Sequence, residues 1–105
     1  MQFKIRLAAA LLVGATASIT MAQDAATLHT RALAATCANC HGTDGRTVDG
    51  SAIPSLVGMP KSYMIMQIKA FKEGSRPATV MHQLSKGFTD QQIDSIANYF
   101  AATKR

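Results

Sequence analysis

Cys37-Ala38-Asn39-Cys40-His41 constrains this 105-residue chain more than any other stretch. Two cysteines in C-x-x-C spacing, followed directly by a histidine, form the pattern of covalent haem attachment. Each thiol adds across one vinyl group of the porphyrin to give a thioether. One turn of helix sets both sulfurs along one edge of the macrocycle. The next residue then lifts its imidazole to the iron. Five residues thus anchor a cofactor through Cys37 and Cys40 and supply its proximal ligand, His41. These two cysteines are the only ones in the chain. A disulfide between them would close a tight, strained ring of the kind found on βαβ redox scaffolds, and no strand pattern is present. Zinc would need a second ligand pair at finger-like spacing, which is missing. One covalent haem uses all three residues.

The N-terminus carries the pattern of an export signal. Lys4 and Arg6 form a short positive region, Leu7 to Ile19 is apolar with small polar interruptions, and Thr20-Met21-Ala22 offers small residues at the −3 and −1 positions. Cleavage after Ala22 is the expectation: a signal peptide over 1–22, then one small domain over 23–105, exported to the periplasm. An uncleaved anchor is the competing reading. The stretch is short and broken by Gly14, Thr16, Ser18 and Thr20, whereas a span needs about 20 mostly apolar residues. No membrane span is expected in the mature chain. A domain this small buries a modest core and needs a staple, which two thioethers would provide. The formal charge is +5, and +3 without Lys4 and Arg6. That is too mild for a nucleic-acid binder. It suits a solvated surface, or a weak basic rim that steers an acidic redox partner.

The rest of the chain reads as all-α. Asp24 can cap a helix from about Ala25 to Cys40, with Leu28, Ala32, Leu33 and Ala35 at partly helical spacing and Gly42 as its stop. Gly42 to Gly58 is a breaker-rich loop, long enough to wrap a ligand edge. Ile53, Leu56 and Val57 are its expected inward anchors. A ligating histidine normally donates its second ring N–H to a carbonyl or carboxylate. The carbonyl at or beside Pro54 is the candidate acceptor for His41; the alternative is that Pro54 only stiffens a turn. Ser62 can cap a helix over Tyr63 to Glu73, closed by Gly74, with Met64, Ile65, Ile68 and Phe71 as a buried stripe and Lys61, Lys69 and Lys72 toward solvent. Tyr63, Gln67 and Arg76 could meet a haem propionate, and Arg76 suits a carboxylate best through its bidentate, permanently charged fork. Surface roles for all three are the alternative. A short segment runs from Ala78 to Lys86. Thr89 and Gln92 then form a capping-box pattern ahead of a last helix over Asp90 to Thr103, striped by Ile93, Ile96, Ala97 and Phe100 and expected to cross the first.

The second axial position decides what such a haem does. A thioether sulfur raises the potential and gives an electron carrier; an open position gives gas binding or peroxide chemistry. Met59, Met64, Met66, Met81, His29 and His82 are the available donors. Met64 and Met66 suit core filling. His29 would be held about 12 Å from Cys37 by its own helix. Spacing alone does not choose among the others. Met81 lies between two helices, remote from Cys37, and Met59 is the runner-up.

Cys37-Ala38-Asn39-Cys40-His41-Gly42 resembles the haem site of the small class I cytochromes c. Gly74-Ser75-Arg76, Met81, Gly87-Phe88-Thr89-Asp90 and the closing Ala97-Asn98-Tyr99-Phe100 resemble the same family, over essentially all of Asp24 to Phe100. The motif order is most similar to that of the monohaem cytochrome subunits of flavocytochrome c sulfide dehydrogenases. The resemblance implies a small cytochrome c fold with helices wrapped around one haem c. It further implies thioethers at Cys37 and Cys40, proximal His41, distal Met81, and Pro54 as acceptor for His41. The implied function is one-electron transfer without substrate chemistry, in partnership with a flavin-containing sulfide dehydrogenase subunit. Two alternatives stand beside it. One is a free monohaem carrier feeding an oxidase or reductase. The other, of a different class, is a haem sensor or peroxidase-like enzyme with a labile distal ligand.

Overall fold

The computed structural model describes residues 24–105; the expected signal segment over 1–22 lies outside them. The described residues are helical and contain no strand. Helix α1 (24–35) leads into the short α2 (Ala38–His41) and a 3-10 turn at Thr43–Gly45. A loop follows, then α3 (Lys61–Glu73), the short α4 (Met81–Lys86) and α5 (Asp90–Ala102). Among the described residues no helix is long and apolar enough to cross a membrane.

Where one helix was expected up to Cys40, two occur, with a turn at Thr36–Cys37. The break has a local cause. The Thr36 hydroxyl donates to Leu33 O at 2.7 Å, while Thr36 N and Cys37 N donate to Leu33 O and Ala34 O, three residues back. This tightens the end of α1 and lets α2 restart with Cys37 as its N-cap.

Helix α3 starts two residues earlier than expected. Pro60, not Ser62, is its N-cap residue, and no side chain bonds there. The Pro60 carbonyl accepts from Met64 N at 3.0 Å, and a proline ring is already set for the first turn of a helix. Gly74 closes α3 in the left-handed conformation. Helix α5 begins on a complete capping box: Gln92 N donates to Thr89 Oγ1 and Thr89 N to Gln92 Oε1.

The core joins α1, α3 and α5. Ala34, Met64, Ile96, Ala97 and Phe100 form one buried cluster, with Leu33, Leu56, Met59, Ile65 and Ile68 packed against it. Ala34 carries α1 into this cluster, and Ile93 is also fully buried on α5. Helix α3 packs on both α4 and α5. Lys61 and Lys69 are half-exposed and pair with Asp94 and Asp90 across the α3–α5 seam. Exposed pairs of this kind add at most about 1 kcal/mol each, so apolar packing holds the helices together.

The loop after α2 is tied at its base. The Gly45 carbonyl accepts from Leu56 N at 2.8 Å and Ser55 Oγ at 2.9 Å, and Gly58 N donates to Phe100 O at 2.9 Å. Gly45 has φ 74°, and a Cβ there would lie 2.7 Å from the Phe100 ring. Only glycine lets the chain reverse this close to Phe100. Of the expected loop anchors, Val57 is buried and Leu56 partly so, but Ile53 is 40% exposed. The tie draws Leu56 and Val57 inward and leaves Ile53, before Pro54, uncovered.

Candidate haem site

Helix α2 presents three donors within five residues. Cys37 is half-buried and Cys40 exposed, and the two thiols are not bridged. Burial pushes the Cys37 thiol above its ordinary range, and a hydrogen bond with Thr36 partly offsets this. His41, the last residue of α2, is buried. Its Nδ1 lies 2.7 Å from the Pro54 carbonyl oxygen. A carbonyl can only accept, so Nδ1 carries the proton and Nε2 keeps its lone pair. That tautomer suits a metal ligand, and the accepted bond raises the basicity of the ring and fixes its plane. The Gly45 tie explains why Pro54 arrives there: residues 55–57 are anchored to the turn that follows His41.

The other candidate residues separate into groups. Gln67 and Arg76 meet: the Arg76 guanidinium donates to Gln67 Oε1 and stacks 4.5 Å from the centre of the Phe71 ring. Tyr63 lies one turn before Gln67 on α3 and is 47% exposed. It lines a surface concavity of about 470 Å3 together with Arg46, Ser55 and Arg105. A second concavity of about 400 Å3 runs beside Arg31, Ala38 and Tyr99. Neither is lined by His41 or Met81.

The candidate distal ligands also differ in their surroundings. Met64 is a core residue, Met59 packs against the same core, and Met66 is 56% exposed. His29 is exposed on α1. Met81 and His82, the first two residues of α4, are half-buried.

Three contacts near the site carried no sequence signal that singled them out. Gly45 sits in an Asp-Gly pair that reads as an ordinary turn. Tyr99 Oη donates to Asp44 Oδ1 at 3.0 Å, fastening α5 to the turn after His41. Arg46 donates to the Lys104 carbonyl and fastens the C-terminal tail to the loop.

Two free thiols one turn apart, an oriented imidazole and an all-α frame define a protein built around a covalently held haem. The family model for cytochrome c matches residues 29–104, and the chain belongs to that family. It is 46% identical over 68 residues to the cytochrome subunit of sulfide dehydrogenase of Chlorobaculum tepidum, a match covering 65% of this chain and 60% of that protein. It is 35% identical over 101 residues to cytochrome c4 of Pseudomonas aeruginosa, covering 96% of this chain and 49% of that one. A thiosulfate dehydrogenase electron acceptor of Thiomonas intermedia is 32% identical over 71 residues, 68% of this chain and 33% of its own. The chain thus spans less than two thirds of the length of these relatives. As a member of the family it binds one covalent haem c and is related to electron-transferring cytochromes.

Proposed function

We propose that this chain is a periplasmic one-electron carrier with His41 and Met81 as axial ligands and thioethers at Cys37 and Cys40. In this reading it serves as the cytochrome subunit of a flavocytochrome c sulfide dehydrogenase. A flavoprotein subunit oxidises the sulfur compound and passes electrons on one at a time; this chain performs no substrate chemistry. The observation that carries the reading is the Nδ1 contact of His41 with the Pro54 carbonyl. It supports an imidazole pre-set as a strong proximal ligand. Met81 is supported by elimination, since Met59 and Met64 pack in or against the core and Met66 faces solvent.

The haem, when bound, supplies a reversible ferric–ferrous couple. The chain's own residues do the rest. The α2 thiols fix the cofactor edge, and the Pro54 carbonyl holds the His41 ring. The Met81 thioether excludes exogenous ligands and favours the ferrous state. Gln67 and Arg76, already paired, and Tyr63, which shares α3 with Gln67, are the groups proposed to meet the propionates. The flavoprotein partner is supported by the sulfide dehydrogenase relative. A free carrier is the second reading, favoured by the cytochrome c4 match over nearly the whole chain.

The test is anaerobic mixing of the oxidised, haem-loaded protein with a sulfide-oxidising flavoprotein and sulfide. Rapid reduction together with co-elution as a stable complex supports the subunit reading. Reduction without a stable complex supports the free carrier. No reduction by the flavoprotein contradicts the subunit reading.

A further inference from the structure

Asp44 lies at φ 53° and ψ 25°, in the left-handed region, inside the 3-10 turn Thr43–Gly45. It is the one described residue other than glycine with positive φ. Glycine meets the same demand at positions 42 and 45. Aspartate enters this region mostly when its short carboxylate bonds to nearby backbone. Here the carboxylate makes a different bond. Among the described residues its hydrogen-bond donor is Tyr99 Oη, 3.0 Å from Oδ1 and fifty-five residues further along the chain. Strained backbone persists only where the surrounding structure holds it, and it gathers at functional sites.

The holder is stiff. Tyr99 sits in the last turn of α5, its ring edge-on to the buried Phe100 with centroids 5.3 Å apart. Thr103 N and Thr103 Oγ1 both donate to its carbonyl. What it holds lies between the attachment motif and the loop. Asp44 shares a peptide bond with Gly45, whose carbonyl accepts from Leu56 N at 2.8 Å and Ser55 Oγ at 2.9 Å. Ser55 directly follows Pro54, whose carbonyl oxygen lies 2.7 Å from His41 Nδ1. We propose that Tyr99 and Asp44 are positioning residues for the His41 imidazole: their bond holds the left-handed turn, and through the Gly45 carbonyl the turn holds the Pro54 carbonyl against Nδ1. This role rests on the reading of His41 as proximal ligand. A bond given from Nδ1 raises the basicity of a ligating imidazole. A more basic ring favours ferric over ferrous iron, so loosening the Nδ1 bond eases reduction. Arg31 lines the same concavity as Asp44 and Tyr99, yet no ion pair joins it to Asp44 among the described residues.

The experiment uses the full haem-loaded chain near neutral pH and the variants Tyr99→Phe, Asp44→Asn and Thr89→Ala. Proton NMR follows solvent exchange of the His41 Nδ1 proton, and reduction is titrated against a dye of fixed potential. Tyr99→Phe is expected to speed the exchange about fivefold and to raise the equilibrium constant for reduction about twofold, the scale of one exposed hydrogen bond. Asp44→Asn keeps an oxygen acceptor and a residue that tolerates the left-handed region, so both readings should stay nearer the parent than those of Tyr99→Phe. Thr89→Ala weakens α5 at its other end, by removing the acceptor for Gln92 N, and should leave both readings at the parent value. If the oxidised parent shows the large paramagnetic shift of an iron-bound ring at the Nδ1 proton and Tyr99→Phe changes neither exchange nor titration, the proposal is wrong while the His41 assignment stands. Equal acceleration by Thr89→Ala also overturns it, because exchange then follows a general loosening of α5. A parent whose Nδ1 proton lacks that shift overturns the ligand assignment and the proposal with it.

Discussion

His41 Nδ1 and the Pro54 carbonyl oxygen lie 2.7 Å apart across thirteen residues of chain. The contact joins the helix that carries His41 to the loop that follows it. Its acceptor belongs to a residue whose φ is fixed by its own ring. Pro54→Ala keeps the carbonyl and releases that restraint. Stability should fall by about 0.5–1 kcal/mol through the freer unfolded chain. The His41 Nδ1 proton should exchange with solvent faster than in the parent. Denaturant titration and proton NMR of the haem-loaded protein check the two effects separately.

Gly45 makes that contact possible by letting the chain turn against Phe100. Gly45→Ala forces a Cβ to 2.7 Å from the Phe100 ring and 2.9 Å from Leu56 Cβ, at a φ of 74°. Overpacking and a left-handed backbone together should cost about 2–4 kcal/mol. Gly50 also has positive φ, but a Cβ there meets nothing within 4 Å. Gly50→Ala should therefore cost only the backbone share, about 1–2 kcal/mol. Comparing the two denaturation midpoints separates packing from backbone strain.

The α5 capping box offers a clean local test. Thr89→Ala removes the acceptor for Gln92 N and should cost about 1 kcal/mol. Lys61→Ala, which breaks a half-exposed pair with Asp94, should cost less than about 1 kcal/mol. Urea unfolding of both variants gives the ranking.

These elements also show what was legible in advance. The capping box, the α5 stripe and the attachment motif are local patterns, and each can be read from spacing. The break at Thr36–Cys37 could not be, because it depends on which carbonyl a threonine hydroxyl captures. Ser62 looks like a cap, yet α3 starts at Lys61 with Pro60 as its N-cap, where the Pro60 carbonyl accepts from Met64 N. Ile53 reads as an anchor, but the Gly45 tie turns it outward. The pairing of Arg76 with Gln67 and that of Tyr99 with Asp44 are tertiary facts with no signature of their own. For Pro54 the residues alone left two readings open, and only a family resemblance chose between them.

Tyr99 and Asp44 give the fold a predicted alkaline limit. Desolvation, and then the hydrogen bond and charge of Asp44, push the Tyr99 phenol above its ordinary value. A group whose folded value is raised holds its proton better in the folded state. Its stabilising share is complete below about pH 10, the unfolded value, and is lost as pH rises through the folded one. The parent should therefore lose more stability than Tyr99→Phe above about pH 10, measured as the difference between their denaturation midpoints across that range.

The central proposal is that a haem held by Cys37, Cys40 and His41 would have no open ligand position, because Met81 would supply the second donor. Carbon monoxide added to the reduced, haem-loaded protein measures this directly. The account predicts an unchanged absorption spectrum in the parent and prompt carbon monoxide binding in Met81→Ala. Prompt binding by the parent would contradict the claim and favour a sensor or peroxidase-like protein with a labile distal ligand.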